Sequence, residues 1–368
     1  MSELWANRAA SAESAVTTRH LRKLWGLPGT QLGVVAWPPT KRDKRFLTWH
    51  YWWQAHLLDC LVDAHLRDPQ WDRVTSIIRQ IRTHRLRNNL AWTNSYYDDM
   101  AWLALALERA GRLVDVDKPK ALATLSEQFV KAWVPEDGGG IPWRKQDQFF
   151  NAPANGPAGI FLARYVTSLG DRLRRAQQMA DWIDETLIDP DTHLVFDGIK
   201  GGSLVRAQYT YCQGVVVGLE TELAVRTSDP RHAARAARLV TAIAEHMTDD
   251  GVLRGAGGGD GGLFHGVTAR YLALAATQLP EVADQARELV LTSAESAWEN
   301  RQTVDGLPLF GAFWDRPAAL PTADGKSAEF VEGAVNASEV PERDLSVQLS
   351  GWMLMEAAHA VTEVDSDG

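Results

Sequence analysis

Apolar residues recur along this chain at spacings of three and four, and strict alternation is nearly absent, so the pattern predicts a mostly helical protein. The predicted helices are of two kinds. One kind is apolar almost all round and starts from an aromatic or glycine-rich loop, at residues 48–66, 96–111, 151–170, 207–227, 261–278 and 343–361. Between them lie one-sided helices rich in Arg, Glu and Gln, at 71–85, 120–133, 172–187, 231–247 and 282–300, with a sixth at 6–25 preceding them all. A helix apolar on every side belongs inside a protein, and a one-sided helix belongs on its surface. Six of each, recurring about every 55 residues, predict an all-α fold: one (α/α)6 barrel domain over 1–368, closed by the first helix against the last inner one. An open α-solenoid has the same alternation and differs in leaving the ring unclosed. The polar residues 362–368 are predicted to be a disordered tail.

The connections are asymmetric. Links from inner to outer helices are short, such as SDPRH, whereas outer-to-inner links are long and rich in Gly, Pro and aromatic residues, as in VPEDGGGIPWRKQDQFF, IDPDTHLVFDGIKGGSLVRAQ, TDDGVLRGAGGGDGGLF and the stretch 302–342. Long loops gathered at one end of a barrel form a rim, so a cleft is expected at the N-terminal ends of the inner helices, where these loops carry Trp143 and Trp314.

Composition narrows the ligand. The 15 tryptophans exceed what a core of this size uses, and flat indole faces are what sugar rings stack on. A net charge of −9 and an isoelectric point near 5.6 disfavour nucleic acid and anionic membranes as partners. No apolar run approaches the ~20 residues of a membrane span, and the first residues, MSELWANRAASAESAVTTRHLRKLWG, lack the apolar region of an export signal, so a cytoplasmic location is expected. Two cysteines, Cys60 and Cys212, without CxxC or HExxH patterns leave little for a metal site, and none is expected. The run RQIRTHRLR, 79–87, reads as a solvated outer helix face.

The candidate chemistry lies in NSYYDDMAWLALALERAG, Asn94 to Gly111, where Asp98 and Asp99 open an apolar helix beside Tyr96, Tyr97, Trp92 and Trp102. One aspartate would suffice to cap a helix. Two neighbouring carboxyls in a desolvated cleft cannot both ionise freely, so one pKa rises while the helix end is expected to hold the other low. That division gives one acid and one base or nucleophile, the requirement of glycoside hydrolysis. Carboxyls on consecutive residues reach about 5 to 6 Å apart, close to the separation of retaining glycosidases. A DDxxD magnesium-diphosphate site is disfavoured because Met100, Ala101 and Trp102 follow, and a lanthionine-cyclase zinc site because FHG at 264–266 supplies too few ligands. His50, His56 and His265 lie at inner-helix positions and keep open a sugar 2-epimerase reading, in which a histidine pair acts as acid and base. Trp49, Trp52 and Trp53 divide between core and cleft.

The YYDDMAWLALALERAG stretch resembles the signature of glycoside hydrolase family 76, the endo-α-1,6-mannanases. FLTWHYWWQAHLLDCLVDAHLR, GGIPWRKQDQFFNAPANGPAGIFLARY, QYTYCQGVVVGLETEL and GGLFHGVTARYLALA extend the resemblance from Phe46 to the last helix. The resemblance implies an (α/α)6 barrel, no cofactor, and retaining hydrolysis of α-1,6-linked mannose chains, with Asp98 as nucleophile and Asp99 as general acid/base. It implies that Trp143, Asn151, Tyr209, Tyr211 and Gln213 line mannose subsites. Tyr97, His265 and Trp314 complete the expected substrate-contacting set. Cys212 departs from the family pattern, which has Asn there. A transglycosylase on the same substrates and a mannoside-binding toroid without turnover are the remaining readings. The expected partner is an α-1,6-mannan oligosaccharide or lipoglycan bound by a monomer. Members of this family act mostly on external mannan, so the expected location implies either a longer exported precursor or an internal substrate.

Overall fold

In the computed structural model the described residues are 2–135, 139–165, 170–331 and 333–363. Among them run thirteen α-helices: α1 (Ser2–His20), α2 (Lys41–Lys44), α3 (Tyr51–Arg67), α4 (Trp71–Arg87), α5 (Tyr97–Val114), α6 (Pro119–Lys131), α7 (Ala152–Arg164), α8 (Asp171–Thr186), α9 (Thr210–Thr227), α10 (Pro230–His246), α11 (Phe264–Gln278), α12 (Ala283–Glu299) and α13 (Leu345–Glu363). Helices α3, α5, α7, α9, α11 and α13 each pack on the next, and α13 returns to α3. Helices α4, α6, α8, α10 and α12 each lie against the inner helix before them, and α1 lies against α13. The ring is closed, and the fold is an (α/α)6 barrel.

The two helix types bury their surfaces as their sequences require. In α13 nearly every side chain from Leu345 to Thr362 is buried, whereas α10 buries one stripe, His232, Ala236, Leu239, Val240 and Ile243 among it. Each Leu, Val or Ile so buried contributes about 1.5–3 kcal/mol, and the ring multiplies that over two layers. Close approach of inner helices depends on missing side chains. A Cβ on Gly218 of α9 would lie 2.3 Å from the Tyr271 ring of α11, and one on Gly214, a turn earlier, 2.6 Å from the Thr268 Cα.

Closure is fastened by charge at the end of the barrel opposite the rim. Arg67 of α3 pairs with Glu13 of α1 at 2.7 Å and with Glu356 of α13 at 3.1 Å, joining the first inner helix to the first and last helices of the chain. Asp59 and Asp63, one turn apart on α3, each pair with both Arg109 of α5 and Arg270 of α11. Removing one member of such a set leaves a buried charge without its counterion, which typically costs about 3–5 kcal/mol.

Several boundaries differ from the periodicity, for physical reasons. Helix α1 spans 2–20 rather than 6–25, because Leu21 and Arg22 turn extended and pair with Leu32 and Gly33. Helices α3, α9 and α11 start at Tyr51, Thr210 and Phe264, later than the apolar pattern at 48, 207 and 261. The residues just before α3 and α9 are irregular links, and Gly259–Leu263 before α11 form a 3-10 helix, so the apolar pattern runs past the α-helical start in each case. The expected inner segment 151–170 is helical from Ala152 to Arg164, and 166–169 lie outside the described residues. Of the expected tail, Thr362 and Glu363 belong to α13, while 364–368 lie outside the described residues. The rim loops hold short strands that three-residue alternation cannot reveal: Phe149–Asn151 pairs with Gly198–Lys200, which pairs with Ser203–Val205, and Glu329–Val331 pairs with Ala334–Asn336.

Candidate active site

A cavity of about 420 Å³ opens at the N-terminal ends of the inner helices. All six outer-to-inner links reach it: Trp49 and His50 before α3, Tyr96 before α5, Trp143 and Asn151 before α7, Asp197 and Tyr209 before α9, Asp260 before α11, and Phe330 and Val335 before α13. Asp98 and Asp99 line it from the first turn of α5.

The turn that carries the pair is built from its neighbours. Asn94 folds back before the helix, its Oδ1 accepting from the Tyr96 backbone N–H at 2.9 Å and its Nδ2 donating to Asp99 Oδ2 at 2.5 Å. The 142–150 loop then pairs with this turn: Tyr97 N–H donates to the Trp143 carbonyl at 2.9 Å, and Lys145 N–H to the Ser95 carbonyl at 2.8 Å. That pairing sets the Trp143 indole over the first turn, where Nε1–H donates to Asp98 Oδ2 at 2.9 Å. Asp98 Oδ1 accepts from the Asp99 backbone N–H at 2.8 Å. The N-cap residue of α5, Tyr96, makes no side-chain cap, and the helix backbone engages one oxygen of Asp98 and neither oxygen of Asp99.

The electrostatics follow from burial and the unequal supply of donors. Burial pushes the Asp98 carboxyl up to about 7, against the hydrogen bonds from Trp143 and the Asp99 N–H, which favour its anion. Burial and the Asp98 charge push Asp99 well above the carboxylate range, with only the Asn94 amide opposing. The helix end was expected to hold one of the two low, but desolvation outweighs it at both. The two carboxyls differ in the donors they are given. Asp98, with two donors, ionises first, and Asp99 keeps its proton.

The remaining expected residues divide between cavity and core. Trp143, Asn151, Tyr209 and Tyr211 line the cavity. Tyr211 stacks on Phe264 with ring centroids 4.0 Å apart and planes 19° from parallel, and Tyr209 meets the same ring edge-on at 5.5 Å. Gln213 is fully buried and does not line the cavity: it clamps the loop before α9, accepting from Val195 N–H and donating to the Val195 and Tyr209 carbonyls. His265 and Trp314 are buried against each other, ring centroids 3.9 Å apart, behind the cavity wall. Tyr97 packs on the core from the outer side of its turn, and its neighbour Tyr96 lines the cavity in its place. Cys212 is likewise buried away from the cavity. Of the three histidines noted, only His50 lines the cavity, and burial lowers it to about 4, so it is neutral. The histidine-pair reading thus finds no pair in the cleft.

Two cavity carboxylates escaped sequence reasoning. Asp260 accepts from the indoles of Trp52 and Trp53 at 2.8 and 2.9 Å and from the Val335 N–H at 2.7 Å, tying α3 to the 329–336 hairpin. Asp197 lies in the loop before α9, and burial pushes it up to about 7. The available signal was an aspartate inside a glycine-rich rim loop, GGGDGG for one and FDGIKGG for the other. A second cavity, about 300 Å³, lies at the opposite end of the barrel, where Arg67, Arg109 and Arg270 are engaged in the ion pairs described above. Among the described residues no group of His, Cys, Asp and Glu is arranged to hold a metal ion, and no helix is long and apolar enough to cross a membrane.

A helical toroid whose cleft sets an adjacent, buried carboxyl pair among flat aromatic rings has the make-up of a carbohydrate-acting hydrolase. Its closed ring and rim cleft place it among the (α/α)6 glycosidases. More particularly, the chain belongs to glycosyl hydrolase family 76, whose model matches residues 8–348. Among solved structures it is similar to the GH76A α-1,6-mannanase of Salegentibacter sp. HEL1_6, with 27% identity, a TM-score of 0.82, and 97% of this chain and 99% of that chain covered. An inactive variant of that mannanase, two consecutive aspartates replaced by asparagine, in complex with α-1,6-mannotriose, matches at 26% identity with the same TM-score and coverage. A family 76 glycoside hydrolase from a bovine Bacteroides thetaiotaomicron strain shares the fold at 14% identity and a TM-score of 0.74, over 98% of this chain and 78% of that one. No curated protein sequence matches significantly.

Proposed function

We propose that this protein is a retaining endo-α-1,6-mannanase acting on linear mannose chains through a covalent glycosyl-enzyme. The observation that carries the reading is the unequal carboxylate pair at the start of α5, one oxygen of Asp98 on the Trp143 indole and the Asp99 carboxyl kept protonated by burial and by its neighbour. Support comes also from the Salegentibacter mannanase, whose variants at two consecutive aspartates are inactive and hold α-1,6-mannotriose and α-1,6-mannotetrose.

In the first step an Asp98 oxygen forms a bond to C1 of the mannose on the glycone side, the C1–O6 bond breaks, and the Asp99 proton passes to the departing O6. The leaving oligosaccharide departs neutral, and Asp99 is left as a carboxylate. In the second step Asp99 takes a proton from water as the water oxygen bonds to C1 and the Asp98 ester bond breaks. Both groups return to their starting protonation. Two inversions at C1 leave the α configuration.

Incubation with a linear α-1,6-mannan, followed by size analysis and early NMR of the anomeric signals, tests this. Short oligosaccharides with initial α anomers are expected. Initial β anomers would remove the covalent step, and release of mannose alone from chain ends would remove the endo assignment. Asp98→Asn and Asp99→Asn should each lower kcat by about three orders of magnitude or more.

A further inference from the structure

The carboxylates of the cavity are not all provided for by the protein. Asp98, Asp99 and Asp260 each accept hydrogen bonds from side chains or backbone. Asp197 is different: its backbone is fixed by Ala152 N–H donating to its carbonyl at 2.8 Å and by its own N–H donating to the Ala207 carbonyl at 2.7 Å, yet among the described residues nothing donates to its carboxylate. The residue is only 8% exposed, and that exposure is to the cavity. A carboxylate left with little water and no protein donor is costly, and a ligand entering the cavity can supply the missing donors.

The surroundings indicate which ligand. Asp197 stands at the end of the ribbon beside Asn151, whose strand neighbour is Gly198. A Cβ on Gly198 would lie 2.2 Å from the Phe150 carbonyl oxygen, so the glycine lets the two strands close and brings Asp197 and Asn151 to one edge. Asn151 Oδ1 is spent on the Ala154 N–H at 3.2 Å, capping α7, which leaves its Nδ2 as a donor. Tyr209 and Tyr211 flank the carboxylate from the start of α9. The wall therefore presents a two-oxygen acceptor, an amide donor and flat rings, a combination that fits a sugar with adjacent hydroxyls. Among the described residues no Lys or Arg lines the cavity, so a phosphorylated or carboxylated ligand is disfavoured.

Resting on the mannanase reading above, we infer that Asp197 anchors a vicinal hydroxyl pair of one mannose ring, each carboxylate oxygen accepting from one hydroxyl. A 1,6-linked mannose has its O1 and O6 in linkages, leaving O2, O3 and O4 free. Its two vicinal pairs, O2/O3 and O3/O4, share O3. Whichever pair Asp197 holds, the 3-hydroxyl of that mannose is engaged, and a branch on O3 replaces the proton it would donate. Asp197 thus makes the site selective for a chain unsubstituted at O3 in that subsite.

The test measures binding, free of turnover, by titration calorimetry of the Asp98→Asn/Asp99→Asn protein with α-1,6-mannotriose and with three trisaccharides each lacking the 3-hydroxyl of one ring. Adding Asp197→Ala is expected to raise Kd about 100- to 10,000-fold, the loss expected of two charge-assisted hydrogen bonds left unmade. One 3-deoxy trisaccharide should lose about 10- to 100-fold against the parent, one of the two hydrogen bonds, and lose nothing further against Asp197→Ala, where that contact is already gone. Asp197→Asn, which keeps the shape and leaves one acceptor, should fall between; it also carries the test if Asp197→Ala does not fold. A Kd within twofold of the parent for both Asp197 variants in folded protein, or losses that multiply for every 3-deoxy ligand, overturns the inference alone. Failure of the parent to bind α-1,6-mannotriose while binding another oligosaccharide overturns the mannanase reading and this inference with it.

Discussion

Replacing Trp143 with phenylalanine isolates one hydrogen bond in the proposed mechanism. The substitution keeps an aromatic ring between Tyr96 and Phe149, whose centroids lie 5.2 and 6.0 Å from the indole, and removes the Nε1–H that meets Asp98 Oδ2 at 2.9 Å. A hydrogen bond to a charged group is worth about 1.5–3 kcal/mol, and 1.36 kcal/mol corresponds to about one pKa unit, so Asp98 should rise by about one to two units. Starting from about 7, the ionised fraction at neutral pH falls from near one half to about 1–10%. If the Asp98 anion is the nucleophile, kcat/KM at pH 7 should drop about 5- to 50-fold, and the acidic limb of its pH profile should move up by the same one to two units. Raising the pH should restore much of the loss, because Asp99 is held well above Asp98 and keeps its proton longer. The assay is kcat/KM on an α-1,6-mannotetraose from about pH 5 to about pH 9. A uniform drop across that range, with the limb unmoved, would show that Trp143 acts by contact with the substrate and not on Asp98.

Two further outcomes follow from the same structure. Both aspartates have folded-state pKa values raised above their unfolded ones, so each penalises folding increasingly as pH rises from about 4 towards neutrality; Asp98→Asn/Asp99→Asn should therefore raise Tm at pH 7, by the equivalent of about 1–3 kcal/mol once exposure to the cavity is allowed for, and hardly change it near pH 4. A lower Tm at pH 7 than wild type would mean that the pair stabilises the fold instead. Gly218→Ala drives a methyl to 2.3 Å from the Tyr271 ring and should destabilise the barrel by about 1–3 kcal/mol in urea unfolding, whereas an unchanged midpoint would mean that α9 and α11 separate at little cost.

Much of the fold was legible in the chain, because helix formation and the choice between inner and outer layers depend on residues within a few turns of each other. Apolarity all round marked α9 and α13, and a single stripe marked α10. Closure was less so: the count of six suggested it, but Arg67 meeting both Glu13 and Glu356 joins residues from the two ends of the sequence. The site was legible where chemistry was concentrated locally, in the Asp98–Asp99 pair, and poorly legible in the loops. Trp143 and Trp314 both sit in long rim loops rich in glycine and proline, yet one faces the cavity and the other is buried on His265. Gln213 lies two residues beyond Tyr211, but its amide turns inward to clamp Val195.

The sequence by itself therefore determined the helices, their two layers and the adjacent carboxyls, since 3.6-residue periodicity and side-by-side charges are properties of neighbouring residues. Tertiary structure alone decided which loop side chains face the cleft, that burial raises both aspartates while unequal donors separate them, and that Asp197 and Asp260 join them. Those outcomes depend on loops separated by tens to hundreds of residues meeting at one rim. There, the direction of a side chain and the water left around it are set by packing partners that no local pattern encodes.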